Sequence, residues 1–333
     1  MQNIINEYIG GLKLGRKQSY KNLTVFALLS DYNANSDYLT LDEALSGNLI
    51  DVVEKDEGGS VPELKVVNRS GRMVLILDGE ELVGAKQNRI VNTTILIAGN
   101  TTTVIPVSCV EQGRWSYRSD KFSSENRLMA STLRAHKAAQ VKQSLKHTGK
   151  FRSDQSAIWK GVEKMAMLRD AVSPSMAMSA IYRKEAPSLK EYVKHFALTD
   201  SQVGAVFMIN GKVAGMDCFG RPETFSKVFE KLVESYALDA IDSSGKNMDK
   251  SKKGTKSEAG KFVETSAGCR VEIHQSVGLG TDCRLDADHS TGFALAHEKQ
   301  VLHMSLFAKA AENNRQTPGS RMIRFSHRRR RRF

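Results

Sequence analysis

No uncharged apolar run in the chain is long enough to cross a bilayer, and its start, MQNIINEYIGG, lacks the basic-then-apolar order of a secretory leader. The expectation is a cytoplasmic protein without a membrane partner. Cysteine is sparse. Cys109, Cys218, Cys269 and Cys283 lie far apart, with no CxxC pair and no Cys/His set at zinc-finger spacing. Free or buried thiols are therefore expected, and a disulfide framework is disfavoured. The chain also has no GxGxxG after a strand, no P-loop, no HExxH, no GxSxG and no internal repeat. His274, His289, His297 and His303 stand near Asp286 and Asp288, but at no recognisable ligand spacing, so no metal site is expected.

What is present is a soluble globular balance, with 40% hydrophobic and 26% charged residues over 333 positions. The net charge of +12 invites a nucleic-acid reading, yet the tail RMIRFSHRRRRRF holds seven arginines and its removal leaves +5. Such a block reads as a disordered basic extension over 311–333. A basic helical face (Arg127, Arg134, Lys137, Lys142, Lys146, Lys150, Arg152) could contact phosphates or simply be solvated.

The fold class expected is α+β. A β-rich half, sandwich or jelly-roll-like, covers 1–120 and holds a candidate ligand cleft. A helical region follows over 121–200, and an α+β region over 201–310, all packed as one unit. Leu23–Leu29, Asp51–Lys55 and Leu64–Asn68 read as strands, and Thr40 with Glu43 as a capping box. Ile95 to Ile105 reads as a hairpin with Gly99-Asn100 at its tip, and Gly204–Phe219 as a hairpin around Asn210-Gly211. Helices are expected over Ser124–Leu145, Ser153–Leu168 and Lys190–Phe196, and from Pro222 through Phe225, Phe229, Leu232 and Tyr236. Strands are expected at Arg270–His274, Phe293–Ala296 and Gln300–Phe307, and the lysine-rich segment 243–257 as a mobile loop.

Chemistry concentrates in two places. Asp78, Glu80, Glu81, Lys86, Gln87, Asn88 and Arg89 fill the connection DGEELVGAKQNR between apolar runs. Glu111, Gln112, Arg114 and Trp115 follow Cys109 in the segment SCVEQGRW. If the two groups share one cleft, Arg89, Lys86 and Arg114 would meet phosphate and Trp115 would stack on a base. Gln87 and Asn88 would read polar edges, and Glu80 or Glu81 would be the general base of any hydrolysis. The competing reading of each group is a solvated loop whose charges pair with one another. Cys109 reads more readily as a buried structural thiol than as a nucleophile.

The run LILDGEELVGAKQNRIVNTTILIAGNTTTVIPVSCVEQGRWSY (Leu75 to Tyr117) resembles the hallmark of one family. This is the ARG and rhodanese-phosphatase-superfamily-associated protein domain family, named for gene association with ADP-ribosylglycohydrolases. The resemblance continues in Gly204–Val213 and Leu232–Ala240 and covers roughly Ser19 to Ala308. It implies a role near NAD or ADP-ribose metabolism in microbial stress or conflict systems, and it brings no catalytic residues with it. The expected function is therefore binding or processing of a phosphate-bearing nucleotide ligand. Two alternatives stand beside it: nucleic-acid binding through the basic helices and tail, and a structural or homo-oligomeric interaction module.

Overall fold

The computed structural model describes residues 1–56, 58–244 and 252–309. Along the chain run α1 (Gln2–Gly10), β1 (Lys13–Tyr20), β2 (Leu23–Leu29), β3 (Tyr38–Thr40), α2 (Leu41–Ser46), β4 (Ile50–Glu54) and β5 (Glu63–Asn68). Then come β6 (Met73–Ile76), β7 (Glu80–Gly84), β8 (Arg89–Val91), β9 (Ile95–Ile97), β10 (Thr101–Cys109) and β11 (Phe122–Leu128). Helices α3 (Ser131–Thr148), α4 (Gln155–Met167) and α5 (Met178–Lys194) form the middle. The end holds β12 (Gln202–Ile209), β13 (Lys212–Phe219), α6 (Pro222–Ser244), α7 (Lys256–Ser266), β14 (Arg270–Gln275), β15 (Thr281–Asp286), β16 (Ser290–His297) and β17 (Gln300–Ala308). This is the expected α+β class, β-rich first, helical in the middle and mixed at the end.

The strands form three sheets. The largest is antiparallel, in the order β1-β2-β12-β13-β17-β16-β15-β14, so the first two strands join the last third of the chain. The second runs β11-β7-β8-β10-β5-β4, and the third, β3-β6-β9, is small. Edge strands β4 and β11 of the second sheet touch, and Lys121 Nζ lies 2.8 Å from Asp51 Oδ1 across the gap. This sheet thus curls toward a small barrel filled by Val52, Leu64, Val66, Leu82, Val91, Ile105 and Val107.

Period-two alternation sets the layers of the large sheet. Phe207 of β12 points to the helical side and stacks on Tyr236 of α6, ring centroids 3.9 Å apart. Its neighbour Met208 points the other way, into a core shared with Ile5 and Ile9 of α1 and Phe262 of α7. Asn210 and Gly211 take φ of 50° and 75°, the left-handed pair that a two-residue hairpin matching strand twist requires. The capping box of α2 is present in full.

Several expectations change. Ile95 to Ile105 is not a hairpin: β9 pairs with β6, while β10 pairs with β5 over Thr101–Pro106 and with β8 over Val107–Cys109. The Gly99-Asn100 turn packs against the turn at Ser70-Gly71 and hands the chain from one sheet to another. The helix expected from Ser124 begins at Ser131, because Ser123 and Ser124 pair with Val83 and Leu82 of β7. Pairing outweighs the helix preference of Glu125 and Arg127. The third helix starts at Met178, twelve residues before Lys190, and carries Pro187 inside it. Much of the lysine-rich segment and all of the arginine-rich tail lie outside the described residues, although α7 begins at Lys256 behind a Thr255–Glu258 capping box.

Candidate functional site at the barrel mouth

Register places the site. Arg89 pairs with Leu82 on one side and Cys109 on the other, and Val91 pairs with Val107, so these side chains share one face. Glu54 joins them through its pairing with Leu64, which also faces Ile105. The barrel interior is apolar until its last layer, where Glu54, Arg89 and Cys109 meet. Barrel mouths of this kind are frequent ligand positions.

Arg89 is fully buried. Its Nη1 donates to Gln87 Oε1 at 3.0 Å, but Nε and Nη2, the two donors of one guanidinium edge, find no acceptor. The nearest carboxylate oxygen, Glu54 Oε1, is 3.9 Å from Nη2, beyond hydrogen-bond reach, and Glu54 Oε2 is also unpaired. Burial lowers the Arg89 pKa from its ordinary value. The Cys109 thiol donates to Gln87 Oε1 at 3.0 Å, and burial pushes its pKa up, which disfavours a nucleophilic thiolate.

Helix α4 closes this layer. Gln155 accepts from the Cys109 N–H at 2.8 Å and donates to the Cys109 carbonyl at 2.7 Å, doing for the strand end what a neighbouring strand would. Trp159, one turn on, lies beside the Cys109 sulfur, and its buried indole N–H has no oxygen acceptor. On the solvent side the Trp115 ring covers the guanidinium at 5.7 Å and is 48% exposed. Lys86 Nζ sits 5.6 Å from Trp115 and 5.0 Å from Tyr117, and donates to the Gly58 carbonyl at 2.6 Å.

The two segments rich in polar groups meet at a second point. The Asn88 N–H donates to Glu111 Oε2 at 3.1 Å, and Arg114 Nη2 donates to the same oxygen at 2.6 Å and to Asn88 Oδ1 at 3.1 Å. Ser175 Oγ donates to Glu111 Oε1 at 2.6 Å. Burial would raise the Glu111 carboxyl, but Arg114, Ser175 and the Asn88 amide outweigh it and lower the pKa. Arg114 is thus committed to holding the loop, while Gln112 is exposed.

Asp78 and Glu80 sit in interior ion pairs away from this layer. Lys137 Nζ binds the Asp78 carboxylate and donates to the Val91 and Asn92 carbonyls at 3.0 and 3.1 Å. Lys231 bridges Glu80 and Asp42, and burial of the Glu80 carboxyl is offset in part by that ammonium. Glu81 pairs across to Ile90 and so projects from the opposite face to Arg89. It is fully buried, neither oxygen makes a hydrogen bond, and burial pushes its pKa up to about 8.

The basic-face reading of α3 needs correcting. Arg134 and Lys137 are fully buried against Asp217 and Asp78, and Lys142 Nζ lies 2.9 Å from Asp286, so three of its cations face carboxylates rather than phosphates. Sequence reasoning also missed the group around them: Arg284 on Asp282 at 2.7 Å, and His303 between Thr94 Oγ1 at 2.7 Å and Ser305. Among the described residues no three His, Cys, Asp or Glu side chains are disposed to hold a metal ion, and no helix is long and apolar enough to cross a membrane.

No curated protein and no solved structure matches the chain. One family model does, over residues 11–307, and it takes in β1 through β17 with the barrel mouth and the interior ion pairs. The chain belongs to the ARG and Rhodanese-Phosphatase-superfamily-associated Protein domain family.

Proposed function

We propose that the barrel mouth binds a phosphate-bearing nucleotide ligand, of the ADP-ribose or NAD-derived class. One observation carries this reading: a fully buried arginine, Arg89, offers the paired donors Nε and Nη2 with no oxygen acceptor in reach and only the Cys109 sulfur beside it. Leaving a buried donor unfilled costs about 1–3 kcal/mol, and a planar two-donor edge matches two oxygens of a phosphate or carboxylate. Trp115, half exposed on the irregular connection 110–121, supplies a ring between solvent and Arg89. Lys86 adds positive charge beside it. Glu80 and Glu81 are not at the Arg89 edge, so the reading is one of binding and assigns no general base.

Calorimetry with ADP-ribose and with NAD tests it. Wild-type protein binds at least one of them, Trp115→Ala weakens binding about tenfold through lost stacking, and Arg89→Ala abolishes it. Trp115 is exposed, so its variant folds even if Arg89→Ala does not. No heat with millimolar ligand on the wild type ends the proposal.

A second reading is favoured by the Asn88–Glu111–Arg114 clamp: the segment DGEELVGAKQNR serves to lock the barrel end and binds nothing. Arg89→Ala would then shift the melting temperature, and the wild type would show no ligand binding to lose.

A further inference from the structure

A cleft of about 350 Å3 opens between the first turn of α3, one face of α4 and the last turns of α6. On α4 its wall is the stripe Lys160, Gly161, Lys164, Met165 and Leu168, which recurs at helical spacing. Gly161 lets α3 approach, since a Cβ there would lie 2.5 Å from a Leu133 methyl. The floor is accordingly apolar, with Leu133 and Met165 buried and Leu168 left 55% exposed.

The charges around this floor are unbalanced. Lys160, Lys164 and His136 line the cleft, and none lies within ion-pair distance of a carboxylate among the described residues. The two facing carboxylates are already engaged. Asp239 accepts from Ser131 Oγ at 2.5 Å and from the Thr132 N–H at 2.8 Å. Asp242 Oδ1 lies 2.8 Å from Arg169 Nη2. A buried Asp239 is also held toward its neutral form, its pKa raised by burial. Apolar surface beneath two ammonium groups that make no ion pair among the described residues, with an imidazole beside them, fits a ligand that has an apolar body and one anionic head.

We propose that this cleft is a second binding site, taking an amphiphilic anion such as a medium-chain carboxylate. The alkyl body lies on Leu133, Met165 and Leu168, and the carboxylate sits between Lys160, Lys164 and His136. The site is independent of the Arg89 reading and shares no residue with it.

Calorimetry of the full chain with decanoate, and with decanol as the uncharged analogue, tests the assignment. The expected result is saturable binding of decanoate, with decanol about tenfold weaker for want of the charge-assisted contacts. The double variant Lys160→Glu/Lys164→Glu raises the decanoate Kd about tenfold or more, while Lys146→Glu, at the far end of α3, leaves it unchanged. These lysines are on the surface, so the melting temperature stays put. Equal affinity for decanol, unchanged binding by the double variant, or no saturable binding of decanoate by the wild type would each overturn it.

Discussion

Arg134 Nη2 lies 2.7 Å from Asp217 Oδ1 with both side chains buried, and this pair ties α3 to the centre of the large sheet. Asp217 also accepts from Tyr236 at 2.8 Å and from Ser305, and the His303 ring stands 3.7 Å away. Burial alone would raise its pKa, but the Arg134 charge and these hydrogen bonds hold it far below the usual carboxylate range. A depressed folded pKa contributes stability above the ordinary value of 3.8 and loses it as pH falls. Asp217→Asn is therefore expected to cost about 3–5 kcal/mol at pH 7, since it removes the closer of the two carboxylates that balance a buried guanidinium. Urea unfolding should show the gap from wild type narrowing once the pH drops below about 4. A gap that stays constant from pH 7 to about pH 2.5 would contradict this account.

Glu81 has the opposite sign. Its pKa rises from 4.5 to about 8 because it is buried, with the Arg127 charge opposing burial only in part. The folded state holds the proton more tightly, so its contribution is complete below 4.5 and is lost as pH rises through 8. Glu81→Gln keeps the shape and cannot ionise. Its melting temperature should match that of the wild type near pH 5 and exceed it by several degrees at pH 9. Parallel melting-temperature curves for the two proteins across that range would rule the explanation out.

Gln155 is the residue that fastens α4 to the end of β10. Replacing it by Leu leaves the Cys109 N–H and carbonyl without their side-chain partner. The expected loss is about 1–3 kcal/mol in denaturant unfolding. Because Trp159 follows one turn later, its fluorescence should shift as well. Loss of stability with an unaltered emission spectrum would place the damage elsewhere.

Local chemistry was legible in the residues. Asn210-Gly211 and the Thr40–Glu43 box stand where their short-range sterics and hydrogen bonding put them. Gly99-Asn100 carries the same kind of signal and yet closes no hairpin, because β9 pairs with β6 and the residues after the turn, Thr101–Pro106, pair with β5. A turn signal specifies a change of direction, and the partner strand is chosen by what else competes for the edge. β1 escaped notice for a related reason: KLGRKQSY is a polar, half-exposed edge strand without alternation strong enough to read.

At the candidate site, sequence marked the dense polar segments but could not sort them. Lys137 and Lys146 look alike on paper, and one is buried on Asp78 while the other is exposed. Glu54 and Trp159 carried no signal of their own, and they reach the Arg89 layer only through barrel register and the docking of α4.

By itself the amino-acid sequence determined the family, the turns and caps, and the apolar runs that become strands and core helices. These depend on neighbours a few positions away. The tertiary structure alone decided which charges are paired in the interior and which donor edge stays open. Burying a charge is costly unless an opposite one meets it in space, and Lys231 meets Glu80 from 151 residues away.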